Sequence, residues 1–338
     1  MTADPLLKKK KPFLVPSKTF AEHILQYELE LTGTATSLVL LAYLLGVPLA
    51  EKCIFISYNV GRDSYSKGMD DMYFVAFWTI ALTFLRAASM SYIYHPLAKA
   101  FGVNLISKRQ RIAEQGFMFT YYAIFWVLGM YIMYCSPHWF NTSQYWIDYP
   151  HLYTTRNMKY YYLVQMSIWF QQLYTIHIEK RRKDHFAMVT HHFITITLLI
   201  ASYFTNFSRI GNAVLCCMDL CDVILSLAKI LKYLGFNTVC DIAFGLFAIA
   251  WPVTRHGFFT IIVWATITEP TRYLDMKWEP EKGKYFTPLT QKMYVGLFLL
   301  LQIIMIYWFA MILKIIIAVL KGKNAEDVRS DDEDDEPK

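Results

Sequence analysis

Long apolar blocks divide this chain and decide what it can become. Eight stand out, near residues 32–50, 73–95, 117–136, 160–178, 188–206, 212–234, 239–264 and 293–320. A helix needs about 20 apolar residues to cross a bilayer core. Hydrophobic residues fill 55% of the 338 positions and charged residues only 18%, a balance too apolar for an ordinary soluble protein of this size. Strands of a membrane barrel would alternate apolar and polar residues, and these blocks do not. A helical bundle is then the remaining way to satisfy every backbone group in lipid. The expected fold is an all-α, polytopic membrane bundle of about eight transmembrane helices. No soluble domain fits, since the longest loop, 265–291, has only 27 residues.

The chain opens with a basic run, Lys8 to Lys11, and no apolar block follows directly. No cleavable signal peptide is expected, and the first block would serve as its own anchor. Between the two, SKTFAEHILQYELEL reads as helix. Thr19 and Glu22 have capping-box spacing, and Phe20, Ile24, Tyr27 and Leu31 share a face. This helix either lies along the membrane surface or simply extends the first span.

Lysine and arginine set the orientation. Segments 1–31, 96–116, 179–187 and 321–338 together hold 17 of them, against 10 in 51–72, 137–159, 207–211 and 265–291. Both termini are therefore expected in the cytosol. The glycosylation pattern at Asn141 falls on the opposite, lumenal side, and a second at Asn206 sits against the membrane where it would not be used. Cys53 and Cys135 would face the lumen together and could pair, whereas Cys216, Cys217 and Cys221 share one helix and cannot pair with one another. The end of the chain, AEDVRSDDEDDEPK, is a charge run expected to be disordered. Ser330, with acidic residues directly after it, suits an acid-directed kinase; the plain alternative is a tail that only aids solubility.

Three blocks carry polar residues at helical spacing. The sixth presents Asn212, Cys216, Asp219, Asp222, Ser226, Lys229 and Tyr233 on one face. The fifth presents His191, Thr195, Ser202 and Asn206, and the fourth Gln165, Trp169 and Gln172. Such faces must turn from lipid toward one another or toward a wet cavity. An Asp near a helix centre costs roughly 2.5–3.5 kcal/mol on insertion scales, so Asp219 and Asp222 unpaired would cost about 5–7 kcal/mol. Lys229 is two turns from Asp222, so partners must come from other helices, the histidines being the obvious candidates.

His191 and His192 are adjacent, and neighbours on a helix point about 100° apart, so the two cannot do the same job. Di-iron membrane desaturases and hydroxylases, like fatty-acid elongases, use an HxxHH box. Position 188 is Met, so that box is absent, and no metal or other cofactor is expected. Acid–base or nucleophilic chemistry remains: an imidazole can take a proton from an attacking amine or hydroxyl, or attack an activated acyl group itself. A nearby carboxylate would orient it. A His/Asp set facing a membrane cavity thus points to acyl transfer between lipidic substrates.

The stretch KRRKDHFAMVTHHFIT, followed by SYFTNFSRIGNAVLCCMDLCDVILSLAKILKY, resembles the signature region of the ceramide synthases, and KRQRIAEQGFMFTYY at 108–122 resembles the start of their TLC domain. The resemblance divides the chain into an N-terminal segment (1–31), two N-terminal spans (32–107), a TLC catalytic domain of six spans (108–320) and an acidic tail (321–338). It implies an acyl-CoA-dependent N-acyltransferase of the endoplasmic reticulum membrane that joins a long-chain acyl group to a sphingoid base. By position it implies that His191, His192, Asp219 and Asp222 are catalytic, with His191 the choice for a covalent acyl-imidazole. Gln165, Trp169, Gln172, Thr195, Ser202, Ser226, Lys229 and Arg255 would line the substrate cavity, Arg255 and His256 near its lumenal end.

Lys180, Arg181, Arg182 and Lys183, with Lys108, Arg109 and Arg111, would attract the CoA phosphates, unless they only obey the positive-inside rule. The loop 265–291 would influence acyl-chain length. Many animal members read His-Asp where this chain has Met218-Asp219, and many carry a homeobox-like domain for which 96–116 is too short. Both points lean toward a fungal-type enzyme, which implies a small single-pass accessory subunit and homo- or hetero-dimerisation. No nucleic-acid partner is expected. The competing readings are a non-catalytic TLC-type lipid sensor or transporter, and an O-acyltransferase of another fold. The retained histidine pair and D-x-x-D helix argue against both.

Overall fold

The computed structural model describes residues 20–179 and 183–321, and eight long helical segments run through them. They are α1 (Phe20–Leu44), α2 (Asp71–Ala100), α3 (Ile106–Tyr134), α4 (Arg156–Ile178), α5 (His185–Phe204), α6 (Ser208–Tyr233), α7 (Asn237–Thr268) and α8 (Pro288–Leu320). Each falls on one of the apolar blocks. Five of them, α2, α3, α5, α7 and α8, are long and apolar enough to cross a membrane by length and composition. The other three are as long but more polar. Two of these, α4 and α6, carry two of the polar stripes.

The bundle has two distinct ends. At one, called here the basic end, α1 begins, α2 gives way to α3, and α4 gives way to α5. Arg86 of α2 there joins Glu28 of α1, 3.4 Å away, to Glu179 just after α4. The helix expected before the first span is continuous with it, so the extension reading holds. The proposed cap residue Thr19 lies outside the described residues. Helix α6 stops at this end because Gly235 takes a left-handed φ of 84°, which lets Phe236 N–H reach back to Leu231 O at 2.9 Å.

The other, capped end is built from loops that the apolar pattern does not foresee. A small antiparallel sheet of β1 (Asn59–Gly61), β2 (Ser64–Tyr65) and β3 (Thr154–Thr155) lies across it. Beneath the sheet, Lys159 is fully buried; its Nζ stands 2.9 Å from Asp71 Oδ1 and donates to Ser57 O and Ser66 O. Asp71 Oδ2 accepts from the Tyr203 hydroxyl at 2.8 Å, so one ion pair ties α2, α4 and α5 together. Nearby, burial first and Lys159 second pull the Lys67 ammonium down to about 7.

Asn206 is not part of the α5 stripe. It leaves the helix with φ 67°, reverses the chain into α6, and is clamped by Lys67 at 3.0 Å and Gly283 O at 3.0 Å. The short-side-chain amide takes the left-handed position that closes a helix. Cys53 and Cys135 are free thiols and form no bridge.

Two helices contain widened turns: Met90–Tyr94 in α2, just before Pro96, and Pro252–Phe258 in α7. Proline lacks the N–H that a regular turn would use, and widened turns accommodate the loss. The second of these turns brings Arg255 to the bundle interior, where it is 4% exposed.

Removing one partner of a buried ion pair leaves an uncompensated charge, at a cost of roughly 3–5 kcal/mol. Lys159→Met is therefore expected to lower the thermal unfolding midpoint in detergent markedly, and Lys159→Met with Asp71→Leu to recover part of the loss. Equal midpoints for the single variant and the unchanged chain would show that the pair does not hold the cap.

Candidate active site

Helix α5 places His191 and His192 in different settings. His192 Nδ1 lies 2.8 Å from Met188 O, one turn back, and Nε2 faces Gln172 Oε1 at 3.3 Å. Both are carbonyl oxygens and can only accept, so the neutral ring donates from Nδ1 across the shorter contact, and Nε2 keeps its lone pair without a hydrogen bond to Gln172. Gln172 itself bonds the Tyr122 hydroxyl of α3 at 3.1 Å. His191 has no such partners. Its Nδ1 is buried without a hydrogen bond, and its ring is packed edge-on by Trp169, 5.4 Å away, and Trp308, 5.3 Å away. Trp308 is itself fixed, its indole N–H donating to Asp184 Oδ2 at 3.1 Å.

The carboxylates of α6 do not pair with the histidines. Asp219, 1% exposed, accepts from Gln165 Nε2 at 2.9 Å, and Gln165 in turn accepts from the Tyr121 hydroxyl. Asp222 accepts from Arg255 Nη2 at 2.8 Å. The same guanidinium donates to Met218 O at 2.8 Å and lies over the Trp251 ring, 4.1 Å from its centre. The expectation of His–Asp partners is thus corrected. The histidines of α5 face α4 and α8, while the carboxylates of α6 face α4 and the widened turn of α7.

Two cavities meet at this point. A wide one reaches toward the basic end and is lined by Gln172, His192, Asp222, Ser226, Lys229 and Arg255, among others. A narrow, almost wholly apolar one runs toward the capped end, past Thr195, Leu198 and Ser202, to Trp146, Phe286 and Tyr294. Among the described residues, only His191 and Trp169 line both. The arrangement can hold a polar head on one side of an imidazole and a hydrocarbon chain on the other.

A family model, the TLC domain of the TRAM_LAG1_CLN8 group, matches residues 111–314. The chain belongs to the TLC-domain family. Within it, the chain is 40% identical over 287 residues to sphingosine N-acyltransferase lag1 of Schizosaccharomyces pombe, covering 85% of this chain and 74% of that one. Ceramide synthase FUM18 of Gibberella moniliformis is 36% identical over 338 residues, covering 90% and 79%. Mouse ceramide synthase 4 is 32% identical over 238 residues, covering 68% and 58%.

In this TLC-domain protein the residues singled out from sequence separate into three groups. His191, His192, Trp169, Gln172, Asp222, Ser226, Lys229 and Arg255 line the wide cavity, and Thr195 and Ser202 line the narrow one. Gln165 and Asp219 line neither; they stand behind the wall as a buried polar support. Arg255 was expected at the lumenal end of the tail cavity and instead faces the wide cavity, because the widened turn of α7 rotates it toward Asp222. Lys183 lies in the turn before α5, while Lys180, Arg181, Arg182 and Ser330 lie outside the described residues. Asn141 is exposed at the capped end.

Sequence reasoning missed Tyr121, Tyr122, Trp308 and Asp184. The first three sit in uniformly apolar runs where an aromatic ring carries no signal of its role. Asp184 looked like one charge in a charged loop.

Close packing around the narrow cavity depends on Gly211 of α6. A Cβ there would stand 1.6 Å from the Tyr162 hydroxyl, which bonds Ser202 at 2.6 Å. Gly211→Ala must push the Tyr162 ring away and is expected to cost about 1–3 kcal/mol as overpacking. Thermal unfolding in detergent checks this: a fall in midpoint that Tyr162→Phe partly relieves supports the packing, and no fall contradicts it.

Proposed function

We infer that the chain is a ceramide synthase, transferring a long-chain acyl group from acyl-CoA to the amine of a sphingoid base. The observation that carries this reading is His191 at the junction of a polar and an apolar cavity. The similarity to curated N-acyltransferases supports the same assignment.

The thioester carbon would stand at His191, with the acyl chain in the narrow cavity and the CoA head toward the basic end. A ring nitrogen of His191, which has no hydrogen bond, attacks the thioester carbon. The C–S bond breaks, CoA leaves as the thiolate, and the acyl group is held on the imidazole. The amine of the sphingoid base then attacks the same carbon, the C–N bond to His191 breaks, and the amine proton passes to a base. His192 Nε2, with its lone pair kept by the Met188 bond, is the group placed to take it. Arg255, fixed by Asp222 and Met218 O, is the stationary cation facing the developing negative charge. Asp219 acts at a distance through Gln165, holding α4 against α6.

The basic end would face the cytosol, where acyl-CoA is found, and the capped end the lumen of the endoplasmic reticulum. The exposure of Asn141 supports glycosylation there. Phosphorylation of Ser330, an accessory single-pass subunit and dimerisation belong to the same reading, as does CoA recognition by Lys180 to Lys183.

The test is product formation by the full chain in detergent, with any copurifying subunit kept, across a panel of acyl-CoAs with sphinganine. N-acyl product is expected, abolished in His191→Ala and reduced about 10²-fold or more in His192→Ala and Arg255→Met, the size of an acid–base or charge-stabilising contribution. Folded protein that makes no product with any acyl-CoA would return the chain to the non-catalytic lipid-binding reading.

A further inference from the structure

A third cavity lies outside the path just described. It is the largest of the three and opens at the basic end between α1, α2 and α3. Arg86, Glu114 and Glu179 line both it and the wide cavity, so this layer of side chains stands between the two. Leu25 and Leu29 of α1 and Met90 of α2 give the third cavity an apolar wall.

The polar part of its lining is uneven. Its cations have partners: Arg86 lies between Glu28 and Glu179, Arg111 meets Glu114 at 3.1 Å, and Lys108 and Lys232 each have contacts of their own. One buried polar side-chain atom among the described lining residues has no hydrogen bond, and it is Glu28 Oε1. Glu28 is only 6% exposed, and its other oxygen faces Arg86 at 3.4 Å, a long contact. The Tyr174 hydroxyl interacts with the carboxylate but stands beyond hydrogen-bonding distance of Oε1. A buried carboxylate oxygen with unused capacity calls for a donor, best a cationic one. A phosphate would meet carboxylates here, and a bare metal ion would find an apolar wall beside a single free oxygen. A long-chain amine matches both features, with ammonium toward Glu28 and hydrocarbon along Leu25, Leu29 and Met90.

We propose that this cavity is the loading site for the sphingoid base, Glu28 holding its ammonium before the amine passes the Arg86 layer toward His191. The proposal rests on the ceramide synthase reading, which supplies the long-chain amine. It separates the two substrates: acyl-CoA occupies the wide and narrow cavities while the base waits next door as the unreactive ammonium, which leaves its proton on the Glu28 carboxylate as it departs as the free amine.

The experiment uses the full chain in detergent with any copurifying subunit. Sphinganine is varied at saturating acyl-CoA, and acyl-CoA at saturating sphinganine, for the unchanged protein, Glu28→Gln and Glu28→Asp. The KM for sphinganine is expected to rise about tenfold or more in Glu28→Gln, the loss of a charge-assisted hydrogen bond, and to recover partly in Glu28→Asp. The KM for acyl-CoA and the release of CoA without amine should not move, which a general structural defect would not spare.

Octadecylamine should compete with sphinganine, octadecanol should not, and Glu28→Gln should weaken the amine at least tenfold. An unchanged sphinganine KM in folded Glu28→Gln overturns the proposal while leaving the synthase reading intact. If Glu28→Gln does not fold, equal competition by octadecylamine and octadecanol in the unchanged protein overturns it. Absence of any N-acyl product from the unchanged protein would overturn the synthase reading instead.

Discussion

Charge inside hydrocarbon must be matched, and the way this chain matches it organises everything else. An unpaired ionised group at bilayer depth costs several kcal/mol, so each buried Asp, Glu, Lys or Arg dictates which helix stands opposite. Lys159 with Asp71 joins α4 to α2, Arg255 with Asp222 joins α7 to α6, and Arg86 joins α1 to the end of α4. These pairs link segments far apart in sequence at both ends and in the middle of the bundle. Apolar packing between lipid-facing helices could not choose partners so narrowly, since lipid tails are as apolar as the side chains they would replace.

The same accounting of partners sets one imidazole apart. Asp219 is bonded by Gln165, Asp222 by Arg255, and His192 Nδ1 by Met188 O. His191 is gripped by two indole rings but carries an unbonded nitrogen, and it stands where the polar and apolar cavities meet. A residue held firmly by shape yet left free in hydrogen bonding is suited to nucleophilic work. The carboxylates matter by fixing the walls, not by touching the imidazole. The pattern differs from a hydrolase triad, in which the acid bonds the histidine directly.

How far the sequence discloses this follows from which forces have a period. Eight long helices coincide with eight apolar blocks, because spanning length and the apolar requirement are both local. The stripe on α6 and the pair on α5 are also local, and most of their residues line the two cavities or stand behind their wall. Partner choice is not local. Nothing in the run around Tyr121 and Tyr122 marks them as supports of Gln165 and Gln172, and Trp308 is one ring in an apolar run. The displacement of Arg255 from the tail cavity to the wide cavity depends on a widened turn beginning at Pro252. Asn206 fell on the stripe by spacing, yet the helix ends two residues earlier and the chain reverses on it. The cap sheet, two or three residues per strand, is too short for any alternation to show.

The most direct measurement is to find where an acyl group comes to rest. The full chain is mixed with a long-chain acyl-CoA in the absence of amine, quenched and digested, and each peptide is weighed for a gain of one acyl chain. The account predicts the gain on the peptide carrying His191, assigned to that residue by fragmentation, lost in His191→Ala and discharged when sphinganine is added. An acyl group on another residue, or rapid single-turnover ceramide formation with no acylated peptide under the same quench, would contradict the assignment of His191 as the acyl carrier.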